Sequence, residues 1–329
     1  MKKILFTVAT LVLLASVCSC TEKEMEGKYA PKEKIQAVYQ EQTSYYDGEV
    51  LYQEPKFKSE EWEWRKGLLD HIVYFEQNVY ESPDGSEVSE LEVLYTQLFT
   101  YDEDSRLVKS EVLGFVNLVA KYEYDGKYLK TVTVMENGDL LVSYQFNHVD
   151  KKIVSFDLTL GDDFADMDEK EMQQFQRVSP LRFVLNAEPA AKVAAATQVC
   201  AKRAAKAGSK GNTVLHFDMS WDGDNVARMA ANYMGAVLQY DFVYDGKNNP
   251  FNNLFEVVNM VDNVPVPYMA LSKSNVTKAT VTETWDGESE TETEEFIYTY
   301  NSKDYPTSKT TDESWERNRF VQTFYYEYE

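Results

Sequence analysis

The sequence predicts a mainly β protein: an antiparallel meander of hairpins forming a curled sheet or open barrel, with a helical insertion at about residues 164–208. A two-sheet sandwich is the alternative arrangement. Three observations point there. Short runs alternate apolar and polar residues and end in turn signals, the pattern of half-buried strands. One short unit recurs along the chain: aromatic, any residue, aromatic, then Asp or Asn, often Gly, and an aliphatic about five residues on. The copies are also evenly spaced. Their second aromatic falls at 101, 124 and 146 and again at 221 and 244, giving steps of 23, 22 and 23.

Taken in order, Trp62-Glu63-Trp64-Arg65-Lys66-Gly67 with Leu69 is a divergent first copy. Phe99-Thr100-Tyr101-Asp102 with Leu107, Tyr122-Glu123-Tyr124-Asp125-Gly126 with Leu129, and Tyr144-Gln145-Phe146-Asn147 with Ile153 follow. Met219-Ser220-Trp221-Asp222-Gly223 with Val226, Phe242-Val243-Tyr244-Asp245-Gly246 and Tyr298-Thr299-Tyr300-Asn301 continue the series. Thr284-Trp285-Asp286-Gly287 keeps half the unit. A step of this size holds two strands and two turns, so each repeat reads as one hairpin. Asp-Gly and Asn at the corner supply the positive φ of tight turns. Aromatics two apart share one face of a strand, so successive copies would stack.

Gaps in the spacing mark insertions. Asp166-Met167-Asp168-Glu169 opens a helix that Pro180 ends. A second helix begins at Pro189 and stops at Gly208. The stretch from Pro189 to Lys210 carries Lys192, Lys202, Arg203, Lys206 and Lys210 and no acid, either as a solvated low-complexity segment or as a contact for an anionic surface. Asn248 to Pro267 reads as a long loop from its Asn and Pro content. The organisation expected is therefore a leader at 1–19, a tether at 20–34, hairpins at 35–163, the insertion at 164–210, and hairpins at 211–329.

The leader has its own logic. Met1-Lys2-Lys3 is a positive start, and Ile4 to Val17 is apolar and uncharged. That run is shorter than the ~20 residues that span a bilayer, and fits a signal-peptide core. Val17-Cys18-Ser19-Cys20 resembles a bacterial lipoprotein box, with Cys20 as the lipidated residue. The alternative is an ordinary secretory signal with two incidental cysteines. Thr21 to Glu26 carries three acids and resembles the acidic signal that exports lipoproteins of Bacteroidota-type bacteria to the cell surface. The resemblance implies an outer-membrane protein, lipid-anchored and facing the cell exterior. Once the leader is removed and Cys20 acylated, Cys200 has no partner, so stability must come from a packed core.

Phe99 to Leu107 has the form aromatic-x-Tyr-Asp-x-x-x-Arg-Leu and looks like a YD (tyrosine-aspartate) repeat. With the other copies, Asn248-Asn249-Pro250-Phe251 and Asn275-Val276-Thr277-Lys278, the chain from about 60 to 329 resembles Bacteroidota surface lipoproteins of unknown function built on YD-like hairpins. The resemblance brings no catalytic residues with it. The copies are fewer than in the closed shells of true YD-repeat proteins.

Acids outnumber bases 55 to 33, for a net charge of −22, which disfavours nucleic acid as a partner. The three histidines, His71, His148 and His216, have no metal-ligand spacing, and neither a Gly-x-Ser-x-Gly elbow nor a phosphate loop occurs. No catalytic residue, metal or cofactor is assigned. Glu288, Glu290, Glu292, Glu294 and Glu295 read as the solvated face of a strand, where acids also discourage edge pairing. The expected function is a non-catalytic binding or adhesion module for a glycan or a surface protein. A carbohydrate-active hydrolase using paired carboxylates is the alternative. Tryptophans are the candidate contacts: Trp62, Trp64, Trp221, Trp285 and Trp315. Trp64, Trp221 and Trp285 occupy the second aromatic place of the unit and are expected in the core. Trp315 stands outside it, between Glu313 and Arg317, and is the candidate ligand contact.

Overall fold

A computed structural model describes residues 28–81, 87–114, 117–161, 213–233, 236–255, 268–285, 287–315 and 317–329. The leader, Cys20, Cys200 and the helical insertion expected at 164–208 lie outside the described residues.

Sixteen strands run in sequence as one antiparallel meander. The first half comprises β1 (Ile35–Tyr46), β2 (Glu49–Arg65), β3 (Leu68–Glu81), β4 (Glu87–Tyr101), β5 (Leu107–Gly114), β6 (Leu118–Asp125), β7 (Tyr128–Glu136) and β8 (Asp139–Val149). The second comprises β9 (Lys152–Leu160), β10 (Thr213–Asp222), β11 (Asn225–Tyr233), β12 (Ala236–Asn248), β13 (Ser274–Trp285), β14 (Glu288–Tyr300), β15 (Pro306–Trp315) and β16 (Asn318–Tyr328). A short helix, α1 (Tyr268–Leu271), lies between β12 and β13. The expected meander is present, but it is neither an open curled sheet nor a sandwich. β16 pairs with β1 along its length, with Val38 opposite Tyr326 and Gln42 opposite Gln322, so the barrel is closed. Closure leaves no sheet edge unpaired.

Every repeat corner falls at the same end of the barrel, because the meander returns there after each pair of strands. At each corner the ladder slips by one residue, at Trp64, Tyr101, Tyr124, His148, Trp221, Tyr244 and Tyr300. A β-bulge bends its strand and increases twist. Repeated at one level around the wall, it supplies the curvature that closes the sheet.

The second aromatic of most copies has a common task at this level; Tyr300 instead donates to the Asp245 carboxylate. Tyr101 Oη donates to the Leu69 carbonyl at 2.9 Å, and Tyr124 Oη to Leu107 at 2.8 Å. Trp221 Nε1 donates to Ile153 at 2.6 Å, and Tyr244 Oη to Val226 at 2.7 Å. Each acceptor is the aliphatic residue of the preceding repeat. Phe146 has no donor, and there His148 Nε2 takes the Leu129 carbonyl at 2.7 Å. Tyr328 Oη, at the end of β16, reaches Pro306 at 2.7 Å. Tyr326-Glu327-Tyr328 is therefore a further copy of the unit that sequence reading passed over. Thr284-Trp285-Asp286-Gly287 is not a copy, because β13 ends at Trp285 and turns at the opposite end of the barrel. The corner acid has a task as well: Asp102 Oδ1 accepts from the backbone N–H of Asp104 and Arg106, and Asn301 Oδ1 from Lys303 and Tyr305. These are Asx turns, which favour Asp and Asn at that place.

Inward rows are apolar over most of the barrel. Tyr144, Phe156, Phe217 and Met229 are fully buried, and Phe156 stacks on Phe217 at 4.8 Å between ring centroids. Side chains alone fill a lumen of about eight strands. This wider lumen also takes a plug from the segment after β12. Phe251 packs against Trp62 on β2 and Tyr326 on β16, at 6.2 and 6.0 Å. Phe255 packs against Phe146 on β8 at 6.2 Å, and its carbonyl accepts from Tyr122 on β6. Tyr29, just before β1, is fully buried beside Trp64 and donates to the Pro250 carbonyl at 2.9 Å.

Candidate functional site

The outward wall is polar. Asp157 and His216 pair across β9 and β10 at 2.6 Å, Arg228 and Asp241 across β11 and β12 at 2.6 Å, and Arg319 and Asp312 across β15 and β16 at 2.6 Å. Asp157 together with Asp218 raises the pKa of His216. Threonines fill much of the rest: Thr280 faces Thr293, Thr282 faces Thr291, and Thr310 faces Thr323. Exposed Val and Leu side chains occur singly or in small groups, such as Val79, Leu91 and Val93 on β3 and β4. A transmembrane barrel has the reverse pattern, apolar outside and polar within. Among the described residues no helix is long and apolar enough to cross a membrane.

Polar side chains interrupt the apolar inner rows at Gln97 and Ser110 on β4 and β5, and in a larger region elsewhere. At the end opposite the repeat corners, β13 to β16, β1 and β2 turn polar side chains inward. The parity follows from the ladders. Phe296 lies opposite Thr311, Thr311 opposite Gln322, and Gln322 opposite Gln42, so all share the inner face. Lys309 and Glu313 flank Thr311 on the same row of β15, and Glu292 and Glu294 continue the row of Phe296 on β14. Exposure falls along β14 from Glu290 at the rim, through Glu292 and Glu294, to buried Phe296. The result is an acidic cup, open at its rim, over an apolar floor.

The electrostatics of the cup are unusual for carboxylates. Burial pushes the Glu294 carboxyl up to about 7, with Lys309 opposing the rise and Glu313 adding to it. Burial likewise pushes Glu313 up to about 7, helped by the negative charge of Glu292. Burial pulls the Lys309 ammonium down, against the pull of Glu294. Lys309 Nζ sits 4.1 Å from the centroid of the Phe296 ring, a cation–π arrangement. Gln322 and Gln40 are each 1% exposed. Neither amide atom of Gln322 has a hydrogen-bond partner, nor has Gln40 Nε2, Gln42 Oε1 or Glu294 Oε1. A buried amide left unsatisfied costs about 1–3 kcal/mol, so the cup holds polar capacity beyond what packing needs. Among the described residues no group of three or more His, Cys, Asp or Glu is placed to hold a metal ion.

The sequence-derived candidates fare differently. Trp62 and Trp64 pack in the lumen at the corner end, and Trp62 Nε1 donates to Glu60 at 2.6 Å. Trp221 is likewise tied to the wall by its bond to Ile153. Trp315 is the last residue of β15, opposite Asn318 at the hairpin on the cup's rim and two residues beyond Glu313. Its side chain lies outside the described set, as does that of Trp285. The Glu288–Glu295 run is corrected in part: Glu288, Glu290 and Glu295 are exposed as expected. β14 is paired on both sides, so it has no edge to protect, and Glu292 and Glu294 face the lumen rather than solvent. The signal missed in the sequence is the alternation of these glutamates, which obeys the inward parity of Phe296, Tyr298 and Tyr300.

Comparison with solved structures returns porin-like proteins. A porin-like protein from Bacteroides uniformis ATCC 8492 is 10% identical, with a TM-score of 0.47, over 90% of this chain and 98% of that one. A porin-like protein from Bacteroides vulgatus ATCC 8482 is 8% identical, with a TM-score of 0.32, over 91% of this chain and 99% of that one. No family model matches the chain. No curated protein matches it either.

Proposed function

We propose that the chain is a water-exposed barrel held at the outer membrane by acylation of Cys20, and that it works as a non-catalytic binding module for glycan on the cell surface. The acidic cup is its contact surface, with Trp315 at the rim. The observation that carries this reading is the polarity of the wall. A charged residue at the bilayer midplane of a spanning barrel costs ~2–4 kcal/mol for Arg or Lys, yet Asp157, His216, Arg228 and Asp241 face outward on consecutive strands. Attachment then falls to the N-terminal box Val17-Cys18-Ser19-Cys20. Tyr29 is fixed at the corner end, so a tether from Cys20 joins the barrel there and the cup points away from the lipid.

Glycan is favoured over a protein surface because the cup is a recess lined with amides and carboxyls rather than a broad apolar face. A second reading, glycoside hydrolysis, draws on the same carboxyls. Hydrolysis needs one carboxyl protonated and its partner ionised. Glu313, pushed up beside the negative charge of Glu292, has that form, and a glycosidase assay on the chain from Thr21 onward separates turnover from binding.

The chain from Thr21 onward should purify without detergent and bind on a glycan array. Trp315→Ala should weaken that binding while the melting temperature barely moves. A blank array, or a chain soluble only in detergent, overturns the reading. Cys20→Ala in the full chain should lose acyl label and membrane partitioning; equal labelling refutes the anchor.

A further inference from the structure

We infer that the cup takes an amino sugar, a hydroxylated ring carrying a free ammonium group. The inference rests on the glycan reading and narrows it. Two independent features of the inner wall select this chemistry. The first is charge: Glu292, Glu294 and Glu313 line the recess, and the Lys309 ammonium lies deep beside Phe296 and faces Glu294. The seat near the rim, at Glu313, is therefore acidic. The second is the set of buried amides without partners. Gln322 offers both a donor and an acceptor, Gln40 a donor and Gln42 an acceptor. A hydroxyl group can donate and accept at once, so a polyol satisfies such a mixed set.

Each simpler ligand leaves one feature unmet. An alkylamine only donates, and the Gln40 and Gln322 amide N–H groups would stay unpaired. A neutral sugar would leave the carboxyl repulsion in place. A phosphorylated or acidic sugar would add to it. Phe320 and Phe324 flank Gln322 on the same inward row and are buried, which provides apolar surface for the C–H face of a ring. The ammonium is thus assigned to Glu313 with Glu292, and the hydroxyls to Gln322 and Gln42. An ammonium placed there lowers the raised carboxyl of Glu313, so binding expels a proton.

The test is titration calorimetry of the chain from Thr21 onward with glucosamine, glucose and N-acetylglucosamine, in slightly acidic buffers of two different ionisation heats. Glucosamine should bind roughly tenfold tighter than the two uncharged sugars, the scale of one added charge-assisted hydrogen bond, and with proton release. Glu313→Gln should abolish that preference with the melting temperature unchanged or raised. Gln322→Leu should weaken all three sugars alike. Equal affinity for the three sugars, or a preference that survives Glu313→Gln, overturns the inference while leaving the glycan reading standing. Binding of none of them, with an array that is also blank, removes both.

Discussion

The Trp64 indole N–H donates to the Ile35 carbonyl at 2.7 Å across 29 residues of sequence. Ile35 opens β1, the strand that meets β16 at the closure, and Trp64 stands at the bulge that ends β2. The bond therefore completes, at the closing seam, the same ring of aromatic donors and aliphatic carbonyls that Tyr101, Tyr124, Trp221, Tyr244 and Tyr328 form elsewhere. At a bulge the ladder loses a regular bond, and the side-chain donor replaces it.

Trp64→Phe removes the donor and keeps an aromatic in place. It should destabilise the barrel by about 1–3 kcal/mol, since it leaves the Ile35 carbonyl without its partner. Urea unfolding followed by tyrosine fluorescence checks it. An unchanged midpoint and slope would mean that water or a neighbour serves the carbonyl equally well. Two wild-type copies depart from the ring: Phe146 lacks a donor and His148 supplies one, and Tyr300 donates to the Asp245 carboxylate.

Much of this was legible in the sequence. The aromatic pairs, the corner acid and the steps of 22 and 23 residues fix the hairpins, their corners and the inward face. Closure was not legible, because it depends on the bulges summing to a full turn, and a bulge leaves no mark beyond the aliphatic residue that precedes it. Trp285 misled because Trp-Asp-Gly also suits a plain turn at the other end. The cup was hidden by a correct generalisation applied to the wrong face. Alternating glutamates usually mark solvent, but in β14 the alternate positions continue the row of Phe296 and Tyr298 into the lumen.

The plug makes its own prediction. Phe255 is almost fully buried between Phe146 and the bond from Tyr122 to its carbonyl, and Phe251 reaches the opposite wall at Trp62 and Tyr326. The segment thus ties β6 and β8 to β2 and β16. Phe255→Ala should cost about 3–5 kcal/mol, the range for large aromatic truncations in a core. Hydrogen exchange should show the loss spread to β6 and β8 rather than confined to the loop. A small change, or one limited to residues 249–255, would mean that the plug is only an ornament on a self-sufficient wall.

The Glu313 carboxyl ordinarily titrates near 4.5, and in the folded barrel it titrates at about 7. Between those values the native state holds a proton that the unfolded chain has released. Its contribution to stability is therefore fully present below about 4.5 and is lost as pH rises through about 7. Glu294 shifts in the same direction, but Lys309 stands against it, and neutralising Glu294 would strand a buried ammonium. Glu313 is the cleaner probe, because the charge acting on it is the like charge of Glu292. Melting curves of the parent and Glu313→Gln should coincide below about pH 4.5, where the side chain is neutral in the folded and the unfolded chain alike, and should separate between about 4.5 and 7. Above neutrality the variant should melt higher, by a few degrees. His216, whose pKa is also raised, loses its contribution over a neighbouring range, but it is common to both proteins and cancels in the difference. If the two curves stay parallel across the whole range, the Glu313 carboxyl titrates alike in the folded and unfolded chain, and the cup is wetter than its burial implies.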